Sequence, residues 1–202
     1  MFRSITDLSQ TDVTFATIFK HSAGTNVERM PLACLRSLKL RHTSITEISV
    51  SRVISRCRAL SRLDVSFTPI QRLTVLSDGL PNRTLTKLSL TSTPLTTHFL
   101  CAFSSSKFAN VLTSLHTLQL GALGASPSSS ISTLTDSLTL TDSMLRSLVD
   151  VLVDCKALES ISLVGNTKLG LQTGAKSALA KFVRKVGRRC KVGMKFALSR
   201  HR

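Results

Sequence analysis

Apolar residues recur along this chain in one fixed order. Leu35, Leu38, Leu40 and Ile45 are followed 25 residues later by Leu60, Leu63, Val65 and Ile70, and after 25 more by Leu85, Leu88, Leu90 and Leu95. The series goes on less evenly at Leu115, Leu118 and Leu120, at Leu138, Leu140 and Leu145, and at Leu158, Ile161 and Leu163. A degenerate copy, Leu8 to Val13, opens the chain. Within each copy, polar residues separate the apolar fourth and sixth places, and this period of two predicts a short strand. Between copies the period lengthens. Apolar residues three and four apart predict an amphipathic helix from Asp142 to Cys155, a less regular one from Ile48 to Cys57, and one from Phe99 to Leu112 broken by Ser104 to Ser106. Ser77 to Pro81 and Gly121 to Ser130 are rich in Gly, Ser and Pro, which predicts turns or loops.

Units of this size cannot bury an apolar side alone. Stacking them places each strand beside the next in a parallel sheet and joins their cores. The ninth place of a copy turns the chain away from the strand, so its side chain must satisfy backbone groups inside the turn. That place holds Thr11, Thr43, Thr68, Thr93, Ser143 and Asn166, and a hydroxyl offers fewer donors there than an amide. The pattern resembles the leucine-rich repeat, in its ribonuclease-inhibitor-like and cysteine-containing type with an outer helix. The resemblance implies an α/β solenoid, a curved right-handed coil with the parallel sheet on its concave face and helices and loops on the convex one. One domain, 1–202, is then expected, with a degenerate first repeat at 1–30, regular repeats at 31–174, and a basic helix and last strand at 175–202. The degenerate opening and the closing strand Phe196 to Leu198 leave both ends without the polar cap of a solenoid, as in a truncated member of a longer family or a chain covered by a partner.

Such repeats dock proteins on the concave face, which is formed by the third, fifth and seventh places. Here these are Ser37, Lys39, Arg41; Arg62, Asp64, Ser66; Lys87, Ser89, Thr91; Thr117, Gln119, Gly121; Ser137, Thr139, Thr141; and Ser160, Ser162, Val164. Lys39, Arg41, Arg62 and Lys87 thus surround a single acid, Asp64, and suit a protein partner with an acidic contact surface. Repeats with a cysteine ahead of the strand also occur in substrate-recognition subunits of F-box ubiquitin ligases. Because the first copy begins almost at Met1, such a role would be that of a component lacking its own F-box.

Charge adds a second candidate surface. The formal net charge is +16, with 27 Lys and Arg against 11 Asp and Glu, and all the acids lie before Ser160. Eleven of the basic residues lie from Ser160 to Arg202. An unopposed block of this kind attracts phosphates, acidic proteins or anionic membranes. Leu179, Phe182, Val183 and Val186 read as one apolar helical stripe, and Lys181, Arg184, Lys185, Arg188, Arg189 and Lys191 as a basic surface beside and beyond it. Nucleic acid could be held there by charge, but the aromatic interleaving of a single-strand reader is missing.

Nothing in the sequence supports catalysis, a metal or a cofactor. The five histidines are scattered without helix-face metal spacing, and no G-x-S-x-G elbow or catalytic-cysteine signature occurs. Gly170 to Ser177 falls short of a phosphate-binding loop, with three residues between its glycines and Ala175 where the lysine belongs. Thr68-Pro69 and Thr93-Pro94 look like phosphorylation sites, but both threonines stand at the inward ninth place. The cysteines, 34, 57, 101, 155 and 190, include no C-x-x-C pair. Cys57, Cys155 and Cys190 each precede an apolar ladder by three residues, as small buried hydrophobes at helix ends would. Reduced thiols, the lack of a secretion signal and the lack of an apolar span predict an intracellular chain, cytoplasmic or nuclear. The expected function is non-catalytic protein binding, as a scaffold or adaptor. The alternatives are the ligase component and an electrostatic binder of nucleic acid or anionic surfaces through the basic end.

Overall fold

The computed structural model describes residues 34–71, 85–94, 109–121, 140–166, 180–185 and 191–193. The opening copy at 1–30, the two turn-rich returns, the glycine loop at 170–177 and the closing residues 196–198 lie outside the described residues, apart from Gly121. The chain is of the α/β class, with a parallel six-stranded sheet whose strands follow one another in sequence order. These are β1 (Ser37–Lys39), β2 (Arg62–Asp64), β3 (Lys87–Ser89), β4 (Thr117–Gln119), β5 (Ser160–Ser162) and β6 (Lys191–Gly193). Among the described residues, three helices stand between strands: α1 (Glu47–Ile54), α2 (Ala109–Ser114) and α3 (Asp142–Leu152). A further helical stretch covers 180–185.

Register explains why three-residue strands suffice. Leu38, Leu63, Leu88, Leu118, Ile161 and Val192 are successive Cα partners and form one apolar row across the sheet. Leu63, Leu88 and Leu118 are at most 1% exposed, so these strand centres are covered on their inner side. Burying each such side chain contributes about 1.5–3 kcal/mol. The ladder also runs past the strand ends: Leu40 N donates to Asp64 O, Val65 N to Ser89 O, Leu90 N to Gln119 O and Leu120 N to Ser162 O. At the other end, single carbonyls of Arg36, Ser61, Thr86 and His116 each accept from two successive amides of the next strand. The backbone is thereby satisfied where the strands stop.

Helix ends are set locally. Thr46 caps α1 by accepting from Ser49 N, and Thr141 caps α3 by accepting from Met144 N. Asp142 and Glu47 occupy first turns, where a negative charge suits the helix dipole. Val50, Val53 and Ile54 of α1, and Leu145, Leu148, Val149 and Leu152 of α3, join the leucine row in one continuous core. Cys57 and Cys155 sit at equivalent places: each amide donates to a carbonyl three residues back at the helix end, and each carbonyl accepts from the first leucine of the next ladder. Both are buried. Burial pushes the Cys57 thiol up to about 11.

Two sequence-derived placements need correction. Leu140 and Thr141 belong to no strand, and β4 is hydrogen-bonded directly to β5, with Thr117 opposite Ser160. Leu140 is buried in the core, but Thr141 is the α3 cap and Ser143 is an exposed residue of that helix, not an inward turn residue. The Thr-Asp cap followed by a helical stripe outweighs the two-residue alternation before it. The third cysteine also departs from the pattern, since Cys190 is followed at once by β6 (Lys191–Gly193), ahead of the expected strand at 196–198, which lies outside the described residues. That register sets β-branched Val192 beside Ile161 in the apolar row.

The turns after β1, β2, β3 and β5 contain a feature the apolar pattern does not display. His42, Phe67 and Ser92, each at the eighth place, have φ of 56°, 59° and 50°, and Gly165 at the same place has 84°. This left-handed step swings the ninth residue inward. Thr43, Thr68 and Thr93 then donate to the carbonyls of Leu40, Val65 and Leu90 at 2.7–2.8 Å. Thr68 and Thr93 are fully buried, which leaves neither accessible to a modifying enzyme.

Candidate functional site

The outward places of β1 to β4 enclose an open hollow of about 560 Å³. Its lining includes Lys39, Arg62, Asp64 and Lys87, with Ser37, Thr86, His116 and Thr117 around them. The alternation of the strands produces this arrangement: the leucine at each centre faces the core, so the residues on either side face away from it. Arg62 and Lys87 are Cα partners on adjacent strands, and Lys39 is the partner of Asp64. Neighbouring strands lie about 4.8 Å apart, so cations in successive registers crowd one another unless an anion separates them.

Asp64 supplies only part of that compensation. Its Oδ1 accepts from Ser66 N at 3.0 Å, and its Oδ2 lies 3.8 Å from Arg41 Nε. Arg41 stands beside the hollow, where its guanidinium also lies 5.6 Å from the centre of the Phe67 ring. Phe67 in turn stacks on His42, with ring centroids 4.3 Å apart and planes 13° from parallel. Lys39, Arg62 and Lys87 are exposed. Of the five residues expected on the docking face, four therefore line one hollow and the fifth pairs with its acid.

Other outward places behave differently. Ser66 and Ser89 are buried, at 3% and 1% exposure, although the pattern places both on the open face. Ser89 donates to Gln119 Oε1 at 2.7 Å, and Ser66 Oγ accepts from Thr91 N, so both tie adjacent strands together. Gly121 is also buried, because a side chain there would place its Cβ 2.7 Å from the Val164 carbonyl oxygen. Thr141 caps α3 and stands on no strand, and Ser137 and Thr139 lie outside the described residues.

Sequence reading missed two residues of the lining. Thr86 stands at a second place, where its hydroxyl donates to Ser61 O. His116 is one of the five scattered histidines. Its Nδ1 is 2.8 Å from the Ser114 carbonyl, which can only accept, so Nδ1 carries hydrogen and Nε2 is the remaining polar atom of the ring. Thr86 and His116 both stand at the second place, directly before their strands, so the alternation within the three-residue strands does not announce them.

The basic end divides. Lys181, Arg184 and Lys185 are exposed on the 180–185 helical stretch, whose Phe182 is buried at 1% exposure. Val183 is 44% exposed and so does not belong to the buried stripe. Arg188 and Arg189 lie outside the described residues. Lys191 opens β6 and pairs with Ser160, which puts it in the same sheet row as Arg62 and Lys87, not in the helix.

Among the described residues, no group of three or more His, Cys, Asp or Glu is placed to hold a metal ion, and no helix is long and apolar enough to cross a membrane. No protein-family model matches the chain, and no curated protein matches it.

Proposed function

We propose that this chain is a leucine-rich-repeat solenoid of the ribonuclease-inhibitor-like type, and that it works as a non-catalytic, intracellular protein-binding scaffold. The partner docks on the outward face of β1 to β4 and presents acidic groups. The observation that carries this reading is the hollow itself, whose lining holds Lys39, Arg62 and Lys87 with one already-paired carboxylate. Charge complementarity of this kind speeds encounter and fixes register. The repeat reading draws support from the in-register leucine row and from the recurrence of buried cysteine, left-handed turn and inward threonine at matching places.

The test is affinity capture from an extract of the source cells with the wild-type chain beside the Lys39→Glu, Arg62→Glu, Lys87→Glu variant. The proposal expects a defined set of acidic partners to be lost from the variant. A second reading, electrostatic binding through the basic end, is favoured by the exposed Lys181, Arg184 and Lys185 and by the lack of any acid after Glu159. It expects capture to survive the triple reversal and to vanish as salt is raised.

A further inference from the structure

We infer that the hollow on β1 to β4 is a phosphate-recognition site, and that the acidic group it takes is a phosphorylated side chain of the partner protein. The inference rests on the protein-binding reading above and sharpens it. Arg62 and Lys87 are register partners on adjacent strands, and Lys39 lines the same hollow from the strand beyond Arg62. Three exposed cationic residues thus line one space, and the single acid among them has one oxygen on a backbone amide and the other toward Arg41. A carboxylate brings one charge and two oxygens. A phosphate monoester brings about −1.5 to −2 charge and three strong acceptor oxygens, a closer match to this excess. Arg62 offers a planar fork of N–H donors and the two lysines offer point charges, the donor chemistry that suits phosphate oxygens.

The neutral residues fit the same ligand. Thr86 spends its only hydroxyl proton on Ser61 O, and Ser89 spends its own on Gln119. Ser37, Thr117 and the Nε2 of His116 are the remaining side-chain groups able to donate within the lining, the last when the ring is protonated. At about 560 Å³ the open hollow has room for a phosphorylated side chain with flanking backbone.

The experiment measures retention of the full chain on three immobilised, otherwise identical degenerate peptide libraries, with phosphoserine, glutamate or serine at the fixed position. Retention on the phosphoserine library at least tenfold above both others, competed by excess inorganic phosphate, is expected. It should be lost in Arg62→Glu/Lys87→Glu and kept in Lys181→Glu/Arg184→Glu/Lys185→Glu. All five residues are exposed, and matched circular dichroism melting curves verify that each variant folds. Arg62→Gln/Lys87→Gln, which removes charge without reversing it, should reduce retention in the same direction.

Equal retention on the glutamate and phosphoserine libraries overturns the phosphate assignment. So does loss of retention only in the variant of the basic end, or retention of single-stranded RNA in place of peptide. If acidic partners are still captured through the hollow after phosphatase treatment of the extract, the phosphate assignment fails while the protein-binding reading stands. Loss of capture in the phosphatase-treated extract supports both.

Discussion

Asn166 donates from its side-chain amide to the carbonyl of Leu163 at 2.9 Å and to that of Leu120, on the preceding strand, at 2.7 Å. Thr43, Thr68 and Thr93 hold the same ninth place with one hydroxyl proton, and each reaches only the carbonyl three residues back. Amide and hydroxyl thus differ in what they join. The asparagine ties two successive units together, whereas each threonine closes a turn within one unit.

That difference has a measurable consequence. Removing a typical hydrogen bond costs about 0.5–1.5 kcal/mol, and a buried partner left unsatisfied raises the cost. Asn166→Ala removes two such bonds and Thr68→Val removes one with little change of shape. Chemical denaturation should show Asn166→Ala losing roughly twice as much stability as Thr68→Val. Equal losses would mean that the bond to Leu120 contributes nothing.

A second prediction concerns the left-handed turns. A non-glycine residue in this region costs roughly 1–2 kcal/mol, and asparagine tolerates it better than most. Ser92, with φ of 50°, is only half-buried and leaves room for a side-chain change. Ser92→Asn should raise the midpoint of thermal unfolding, by a gain of up to about 1 kcal/mol. A lower midpoint would show that the turn is not strained by its residue type.

Cys57 supplies a prediction in pH. Its thiol is held up at about 11 against an ordinary 9.0 because burial disfavours the thiolate. Between those values the unfolded chain releases this proton and the folded chain keeps it. Stability from this group is therefore fully present below about pH 9 and falls as pH rises toward 11. Cys57→Ala should flatten that part of the stability profile. In the folded chain at pH 8, iodoacetamide should label exposed Cys34 and spare Cys57 and Cys155. Labelling of Cys57 at the rate of Cys34 would contradict its burial.

The apolar row was legible from sequence because Leu38, Leu63, Leu88, Leu118 and Ile161 all meet one environment and therefore share one residue type. The α1 and α3 stripes were legible for the same reason. The role of Leu140 and Thr141 was harder to read, because an alternating apolar pair is also what precedes a capped helix, and Leu140 is buried in either case. The left-handed turns were hard to read, since Phe67 and Ser92 are not residue types that announce positive φ, and only His42 and Gly165 at the same eighth place hint at it. At the site, the charges Lys39, Arg62, Asp64 and Lys87 follow directly from strand alternation. Burial of Ser66 and Ser89 does not, because it depends on hydrogen bonds to the adjacent strand.

The central claim is that the outward face of β1 to β4 is the docking surface, and site-specific photo-crosslinking tests it most directly. A photoreactive amino acid replaces Thr117 in the hollow, Ile48 on the exposed side of α1, or Lys181 at the basic end, and cross-linked partner peptides are identified by mass spectrometry. The account predicts adducts to acidic or phosphorylated peptides from position 117 and none from position 48 or 181. Adducts confined to position 48 or 181 would contradict it.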